Sequence, residues 1–238
     1  RNEPQSTVAE MYRTVRTNLE FSTATSNAKT ILVTSTNPAE GKSATALNLA
    51  LASAQLEQKV LLVDADLRRP SIHKQFTLEK KHVGFSSLLV GSHSIDEGIV
   101  STQVPNLDIL PAGPIPPNPA ELLSSPRLPH IFDLLRQNYE RIIIDGCPCL
   151  ALSDPLILAQ KVDGVIFVVK AGATPKHLAL RAYKQLVDFN ANIIGTVLNG
   201  VQKEEMTTSD QYYLYQYGYY RSTETDQYQP SESRSQGS

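Results

Sequence analysis

The stretch TILVTSTNPAEGKSATALNL, residues 30–49, decides the fold class. A run of apolar, largely β-branched residues leads into a short loop that ends in Gly41-Lys42-Ser43, and an Ala/Leu-rich segment follows at once. This is the strand–loop–helix order of a phosphate-binding P-loop, in which backbone N–H groups and a helix N-terminus face anionic oxygens. In such a loop Lys42 reaches the terminal phosphates of a nucleotide, and the Ser43 hydroxyl binds Mg²⁺. The sequence therefore predicts a nucleoside triphosphate site.

The loop departs from the usual pattern at three positions. Thr36 stands where the first glycine is expected, Pro38 has no N–H to donate, and Ala39 tolerates a positive φ poorly. Because Gly-Lys-Ser also occurs by chance, an ordinary helix after a glycine-ended loop is the alternative. The predicted nucleotide contacts are the loop and the first helical residues, Thr36, Asn37, Ala39, Glu40, Gly41, Lys42, Ser43 and Ala44.

The bulk composition excludes several classes of protein. With 238 residues, 41% of them hydrophobic, the chain is long enough for one domain with an ample core. The formal net charge of −2 argues against a nucleic-acid partner. Cys147 and Cys149 are too close in sequence for an easy disulfide and are expected to be reduced thiols. No apolar run has the length of a membrane span. The start at Arg1, without a Met, suggests a fragment of something longer, which leaves room for a membrane-anchoring part outside this sequence.

Strand-like and helix-like segments alternate along the chain, which predicts an α/β fold. The predicted strands are residues 30–34, 60–64, 107–110, 141–145, 165–170 and 193–198, and the predicted helices are residues 43–57, 119–138, 154–160 and 175–190. Several strands are almost continuous Ile, Leu and Val, as in a parallel sheet buried on both faces. We expect a doubly wound, mostly parallel sheet of the P-loop NTPase type over residues 1–203. The polar residues 204–238 are expected to form a flexible tail.

One additional helix is predicted ahead of this fold, over residues 7–21. At about 100° per residue its apolar positions share one face: Val8, Met11, Val15 and Leu19. That face is expected to pack on the domain. The opposite face carries Glu10, Arg13 and Arg16, which should be exposed to solvent or should contact a neighbouring subunit in a ring.

Two further segments place carboxylates after predicted strands. In VLLVDADLRRP, residues 60–70, Asp64 and Asp66 follow a buried run, and in RIIIDGCPC, residues 141–149, Asp145 does the same. Hard carboxylate oxygens suit Mg²⁺, and a carboxylate beside a reacting hydroxyl can accept its proton. A solvated, turn-capping aspartate is the alternative for each motif taken singly. Because strand ends of a parallel sheet meet at one edge, Lys42, Asp64 and Asp145 are expected to lie together.

The tail carries most of the tyrosines of the chain. Seven of the ten are Tyr212, Tyr213, Tyr215, Tyr217, Tyr219, Tyr220 and Tyr228. Few aliphatic residues lie nearby, so packing does not explain them. A self-associating aromatic segment or a strand added to a partner's sheet are two interpretations. The third is that the hydroxyl groups are phosphoacceptors that enter a nucleoside triphosphate site.

These motifs, in this order, resemble the catalytic domain of the bacterial tyrosine kinase (BY-kinase) family, the kinases of capsule and exopolysaccharide co-polymerases. The resemblance covers the segment EMYRTVR (residues 10–16), the P-loop, residues 60–70, the segment AGPIPPNPAELLSSPRL (residues 112–128), residues 142–145 and the tyrosine cluster. It implies that Lys42 and Ser43 bind the phosphates and Mg²⁺ and that Asp64 activates the incoming tyrosine hydroxyl. It further implies that Asp66 and Asp145 hold the metal and that Asn199 approaches the base. Glu10, Arg13 and Arg16 match the family's E-x-x-R-x-x-R oligomerisation motif.

The family resemblance implies an ATP- and Mg²⁺-dependent protein-tyrosine kinase that phosphorylates its own tail, mainly between subunits of a homo-oligomeric ring. The implied partners are a membrane co-polymerase segment, fused upstream or separate, and a tyrosine phosphatase. The implied location is the cytoplasmic side of the bacterial inner or plasma membrane, where the kinase regulates polysaccharide synthesis and export. The rival interpretation is an ATPase switch of the Min or Par type, whose signature lysine is replaced by Asn37. A catalytically silent scaffold is a third.

Overall fold

The structure, a computed structural model, describes residues 7–24, 28–76 and 83–202. Within them seven strands form one sheet: β1 (Thr30–Ser35), β2 (Val60–Asp64), β3 (Val100–Ser101), β4 (Leu107–Leu110), β5 (Arg141–Asp145), β6 (Gly164–Lys170) and β7 (Ile193–Asn199). Their order is β3-β4-β2-β5-β1-β6-β7, and every neighbouring pair is parallel except β3 with β4. The predicted α/β fold with a mostly parallel sheet is confirmed.

Helices cover both faces of the sheet. They are α1 (Thr7–Thr23), α2 (Lys42–Ala54), α3 (Ile72–Gln75), α4 (Phe85–Val90), α5 (Ile95–Gly98), α6 (Pro119–Leu123), α7 (Arg127–Asn138), α8 (Asp154–Ala159) and α9 (Lys176–Asp188). Residues of α1, α2 and α3 join one hydrophobic cluster, and residues of α4 and α6 to α9 join the other. The strands separate the clusters because successive side chains point to opposite faces, as Leu32 and Val33 do.

The central strands are buried throughout, which explains their near-continuous apolar sequences. All residues of β1, β2 and β5 are inaccessible or nearly so. Strand β1 lies between β5 and β6, and β5 lies between β1 and β2. The register pairs Val33 with Asp145 and Asp64 with Asp145. The P-loop and both acidic strand ends therefore meet at the carboxyl edge of the sheet.

Three features of the fold differ from the sequence-based expectations. The single helix predicted over residues 119–138 is two helices, because α6 ends at Leu123 and α7 begins after Pro126. Pro126 lacks an N–H and restricts the residue before it, so a continuous helix is disfavoured. The two-residue strand β3 and the short helices α3, α4 and α5 were not predicted, since a strand of two residues shows no alternation and helices of four to six residues span less than two turns.

The predicted packing of α1 is wrong at its N-terminal end. Val8 and Met11 are 55% and 43% exposed, although Leu19 is buried as expected. The predicted solvent-facing arginines are half-buried and contact the end of α2. Arg16 donates from Nη1 to the carbonyl oxygen of Ala52 (2.9 Å), and Arg13 donates from Nε to Oε1 of Gln55 (3.1 Å).

The physical reason for this packing is that the last carbonyl groups of a helix have no partners within it. The Arg16 guanidinium satisfies one of them, and both arginines complement the negative end of the helix dipole. Glu10 in turn forms an ion pair with Arg13 one turn along α1. The face predicted to be free for a neighbouring subunit is thus partly engaged with the chain's own α2.

Other expectations concern the cysteines, the membrane and the tail. Cys147 and Cys149 are both free thiols and both buried, and burial raises the pKa of the Cys149 thiol to about 12. Among the described residues no helix has the length and apolar character needed to cross a membrane. The predicted tail at residues 204–238, with its seven tyrosines, lies outside the described residues.

Candidate active site

The P-loop connects β1 to α2 through two residues with a left-handed backbone. Ala39 has φ of 64° and Gly41 has φ of 97°. A Cβ atom on Gly41 would lie 1.9 Å from the amide nitrogen of Asn199, so the position requires glycine for both shape and space. Helix α2 begins at Lys42, and Thr45 N–H donates to the carbonyl oxygen of Gly41 (2.8 Å). The loop therefore presents the N-terminus of a 13-residue helix at the edge of the sheet.

Lys42 lies at the centre of the predicted site. Its ammonium group is 3.0 Å from Oδ2 of Asp66, 3.5 Å from Oδ1 of Asp145 and 3.1 Å from Oγ of Ser43. These are residues of three separate segments, joined by the adjacency of β1, β5 and β2. The structure therefore brings together the lysine, the hydroxyl and two of the three carboxylates predicted from the sequence.

The charges of this cluster shift the pKa values of its members. Burial by itself lowers the pKa of Lys42, but the carboxylates of Asp145 and Asp66 outweigh it, so that the pKa is raised above its usual value. Burial raises the pKa of Asp145 to about 7, against the opposing effect of Lys42. Lys42 is thus held in its charged form, whereas Asp145 titrates near neutrality.

Asp64 adjoins this cluster without contacting Lys42 directly. It is fully buried, and its Oδ2 accepts hydrogen bonds from the N–H groups of Ser71 and Ile72, each at 2.9 Å. Its Oδ1 is buried and has no hydrogen-bond partner among the described residues. Burial raises the pKa of Asp64 to about 6. The carboxylate therefore has one oxygen without a hydrogen-bond donor among these residues, and that oxygen can accept a proton.

The loop after β2 is tied to α8 by an ion pair that the sequence reasoning missed. Arg68 donates from Nε and Nη2 to the two carboxylate oxygens of Asp154, at 2.8 and 2.9 Å. Asp154 is 1% exposed, whereas the Arg68 side chain is 38% exposed. Asp66 in the same loop accepts the N–H of Arg69 at 3.0 Å. The Arg68–Asp154 pair therefore fixes the same loop that carries Asp66.

Two predicted nucleotide contacts use their side chains inside the loop. The Glu40 carboxylate accepts a hydrogen bond from the N–H of Thr36, and its backbone oxygen accepts one from the Asn199 amide, both at 2.9 Å. The Asn37 amide also donates to Glu40 (3.2 Å). Asn199, at the end of β7, thus contacts the loop backbone, and its predicted approach to a base stays a prediction.

The donor set fits a divalent cation that prefers hard oxygen ligands. Asp145 has a buried oxygen, Oδ2, without a hydrogen-bond partner in the described part of the chain, and the Ser43 hydroxyl and Asp66 lie near the same ammonium group. No three His, Cys, Asp or Glu side chains of the described residues converge as a complete metal site. Mg²⁺ usually takes one or two carboxylates and completes its shell with phosphate and water, so the arrangement suits Mg²⁺ held together with a nucleotide.

The remaining predicted site residues lie elsewhere. On α1, beside Glu10, the side chains of Arg13 and Arg16 contact the C-terminal end of α2, which is the end away from the P-loop. The tyrosines at residues 212–228 fall outside the described residues. Ala44 is exposed in the first turn of α2. Thr174, in the loop between β6 and α9, contacts the P-loop and was not predicted, because an isolated threonine between two elements carries no signal.

The chain is similar to a family of domains and to curated tyrosine kinases. Residues 28–203 match a family model described as an AAA domain. The tyrosine-protein kinase YwqD of Bacillus subtilis (strain 168) is 40% identical over 218 residues, which are 92% of this chain and 88% of that protein. The tyrosine-protein kinase etk of Escherichia coli (strain K12) is 33% identical over 207 residues, 87% of this chain but 28% of the length of etk.

Solved structures give the same result. The kinase domain of Escherichia coli tyrosine kinase ETK superposes with a TM-score of 0.81 at 32% identity, over 86% of this chain and 80% of that one. The chimerical protein CapA2B2 also reaches 0.81, at 36% identity over 85% of this chain and 88% of that one. The septum site-determining protein MinD of Pyrococcus horikoshii OT3, complexed with Mg-ADP, has a TM-score of 0.63 at 21% identity over 78% of this chain and 76% of that one, a likeness of fold alone.

Proposed function

The chain belongs to the bacterial tyrosine-protein kinases, and from that premise we propose that it transfers the terminal phosphoryl group of Mg²⁺-ATP to tyrosines of its own C-terminal tail. Kinase activity follows from the family, in which the relatives are named tyrosine-protein kinases. The acceptor, the metal and the biological setting are the proposed parts. The single observation that carries the proposal is the convergence of Lys42, Ser43, Asp66 and Asp145 at the P-loop.

Lys42 would bind the terminal phosphates through the ammonium group that now faces two carboxylates. Its raised pKa keeps the ammonium charged at any physiological pH, so it supplies a permanent positive charge against the phosphoryl oxygens. The N-terminus of α2 adds backbone donors to the same place. The site thus offers positioning and charge neutralisation, which are the main requirements of phosphoryl transfer.

Asp66, Asp145 and Ser43 would hold Mg²⁺, which neutralises charge on the phosphates when it is bound. Asp64 would accept the proton of the tyrosine hydroxyl at Oδ1, the oxygen left unpaired by Ser71 and Ile72. Its pKa of about 6 leaves it largely ionised at neutral pH, as a general base requires.

The proposed acceptors are the seven tyrosines at residues 212–228, and the proposed transfer is mainly between subunits of a ring. Glu10, Arg13 and Arg16 match the oligomerisation motif of the family, although Arg13 and Arg16 also contact α2 of their own chain. We further propose a membrane co-polymerase segment as activator, a tyrosine phosphatase as counterpart, and a role in exopolysaccharide synthesis at the cytoplasmic side of the membrane.

The rival function is an ATPase switch of the Min or Par type. The likeness to MinD supports only the common fold, since the identity is 21%. Asn37 stands in place of the signature lysine of those proteins, and its amide donates within the loop to Glu40. The relative at 40% identity is named a tyrosine-protein kinase, so the switch is the less favoured of the two.

The proposal is tested by incubating the purified chain with Mg²⁺ and ATP and mapping phosphotyrosine by mass spectrometry. Lys42→Met is the control, because it keeps the length of the side chain and removes the charge. We expect phosphotyrosine in residues 212–228 of the wild type and none in the variant. Phosphate release without phosphotyrosine would favour the ATPase switch. If neither phosphate nor phosphotyrosine is formed, the catalytically silent scaffold is favoured.

Transfer between subunits needs a second experiment. A chain truncated after residue 203 supplies the active site, and a Lys42→Met chain supplies the tail. We expect phosphotyrosine on the Lys42→Met chain only when both are mixed. Its absence, with full activity of the intact wild type, would show that each active site modifies its own tail.

A further inference from the structure

We propose that Glu40 is a positioning residue that braces the P-loop in its phosphate-binding shape by tying it to the β6–α9 loop through Thr174. The proposal rests on the proposed nucleotide site and adds a role for two residues outside the catalytic cluster. A carboxylate within an anion-binding loop needs an explanation, because its negative charge opposes the ligand. The contacts of Glu40 supply that explanation.

Glu40 is 3% exposed, and all of its described contacts are to groups that donate hydrogen. Its Oε1 accepts from the Thr174 hydroxyl at 2.6 Å and from the Asn37 amide at 3.2 Å. Its Oε2 accepts from the Thr36 N–H at 2.9 Å. Hydrogen bonds to a buried charged acceptor are among the stronger ones in proteins, and three donors compensate its desolvation.

These contacts join the beginning of the loop to its end and to two neighbouring elements. Thr36 is the last residue before the loop turns, and Glu40 directly precedes Gly41. Thr174 follows β6, and Asn199, at the end of β7, donates to the Glu40 backbone oxygen at 2.9 Å. Ala171 N–H donates to the Asn199 oxygen (2.8 Å), which connects these two neighbours to each other. The loop is thus held from both sides of its turn.

The contacts of Glu40 offset the backbone strain of Ala39 in the loop. Ala39 adopts φ of 64°, and a residue with a Cβ in that region is strained by about 1–2 kcal/mol. Without external contacts the loop would relax away from this conformation. The Thr36 N–H is also bound to Glu40 and is therefore not available to a phosphate in this conformation. Glu40 thus favours the observed loop shape and engages one of its N–H groups.

Glu40 can change the affinity for an anionic ligand in two opposite ways. Its negative charge weakens binding, whereas its bracing of the loop strengthens binding, so one substitution separates the two effects. If the carboxylate acted only through its charge, Glu40→Gln would tighten binding of Mg²⁺-ADP. Bracing predicts the reverse, because the neutral amide has one acceptor oxygen instead of two and lacks the charge that strengthens the hydrogen bonds from Thr36 and Thr174. We expect Glu40→Gln to bind Mg²⁺-ADP about threefold to tenfold more weakly in calorimetry.

Thr174→Val removes the same hydrogen bond without changing the charge of the loop, because valine is close to threonine in shape. We expect a similar loss of affinity, retained affinity in Thr174→Ser, and no loss in the matched control Thr196→Val on the exposed part of β7. Because Ala39→Gly removes the strain, Thr174→Val should lower affinity less in an Ala39→Gly background. Equal losses in both backgrounds would point to a contact unrelated to the loop shape.

A nucleotide-free measurement keeps the inference separate from the proposed function. Hydrogen–deuterium exchange of the peptide that contains residues 35–41 should be faster in Thr174→Val than in Thr196→Val, with unchanged exchange in β2 and β5. Failure of the wild type to bind Mg²⁺-ADP would count against the proposed nucleotide site alone. Tighter binding by Glu40→Gln, or Thr174→Val indistinguishable from Thr196→Val in both measurements, would overturn the bracing role.

Discussion

Lys42 shows how one side chain organises the site before any ligand is bound. Its ammonium faces Asp66 at 3.0 Å and Asp145 at 3.5 Å, with little exposure to solvent. Two buried carboxylates near each other would repel, and the lysine between them reduces that repulsion. Burial nevertheless raises the pKa of Asp64 to about 6 and that of Asp145 to about 7. The charge of the cluster therefore depends on pH.

The first prediction concerns the stability of the nucleotide-free protein against pH. A carboxyl group whose pKa is raised on folding binds protons more tightly in the native state, so its contribution favours folding at low pH. The stabilising contribution is complete below the usual aspartate pKa of 3.8. It is lost as the pH rises from there through the raised pKa, which is about 6 for Asp64 and about 7 for Asp145. We expect Asp145→Asn to flatten the fall of Tm between about pH 4 and pH 7.

The control for this prediction is Asp188→Asn, at an exposed position at the end of α9. Its Tm profile should run parallel to that of the wild type in scanning calorimetry. A profile of Asp145→Asn that also runs parallel would show that the Asp145 carboxyl has an ordinary pKa in the folded protein.

A second prediction at this scale concerns the ion pair of Arg68 with Asp154. Arg68→Met leaves the buried Asp154 without its bidentate partner, and we expect it to lower the free energy of unfolding by about 1–2 kcal/mol, allowing for the partial exposure of Arg68. Urea unfolding of Arg68→Met, Asp154→Asn and the double variant gives the coupling energy. Arg69→Met, on the neighbouring exposed residue, is the control. Strictly additive losses would contradict a direct interaction.

At the scale of elements, α1 and α2 form a unit that the family motif does not suggest. Arg16 and Arg13 reach the last turn of α2, and Tyr12 contacts Thr45 in its first turn, with the two hydroxyl oxygens 3.3 Å apart. Since α2 also begins at Lys42, α1 lies along the helix that carries the nucleotide site. The proposed ring contacts and the P-loop therefore share one structural support.

We predict that Arg16→Met lowers stability even in the monomer. The methionine keeps an apolar stem but loses the hydrogen bond to the Ala52 carbonyl, which costs about 1 kcal/mol, or roughly 2–4 °C in Tm for a chain of this size. The measurement is Tm over a hundredfold range of protein concentration. The control is Arg181→Met on the exposed face of α9. A loss that disappears at low concentration would assign Arg16 to contacts between copies.

The long buried strands were predictable from the sequence, and the contacts between distant loops were not. The three consecutive isoleucines of residues 142–144 identify a strand buried on both faces, and the structure confirms it. Glycine and lysine in the P-loop likewise identify the start of α2. The half-buried arginines of α1 were missed because periodicity gives the faces of a helix but not which face has a partner. Thr174 was missed because its role depends on a carboxylate 134 residues away.

At the scale of the whole molecule, the sheet order brings residues of separate segments to one edge. Strand β1 lies between β5 and β6, so the P-loop has the acidic end of β5 on one side and the β6–α9 loop on the other. Asp145 therefore contacts Lys42 in the catalytic cluster, whereas Glu40 contacts Thr174 on the other side of the loop. The parallel topology makes both arrangements possible in a chain of 238 residues.

We predict that phosphorylation of the tail shifts the assembly towards smaller species. The formal net charge is −2, and full phosphorylation of seven tyrosines adds roughly 10 to 14 negative charges. Tails that carry such charge repel one another and the acidic site, so the ring should loosen. Light scattering after chromatography should give a lower mass for the wild type incubated with Mg²⁺-ATP than for Lys42→Met. Equal masses for phosphorylated and unphosphorylated protein would contradict this charge effect.

The pairing of Lys42 with its own carboxylates has a consequence for selectivity among small anions. Inorganic phosphate would have to draw the ammonium away from Asp66 and Asp145 and leave two negative groups without a counter-ion. A nucleotide with bound Mg²⁺ also draws the single positive charge of Lys42 away from the two carboxylates, but it brings the two positive charges of the metal in its place. We therefore expect the resting ion pairs to favour a polyphosphate accompanied by its metal over a bare anion such as inorganic phosphate.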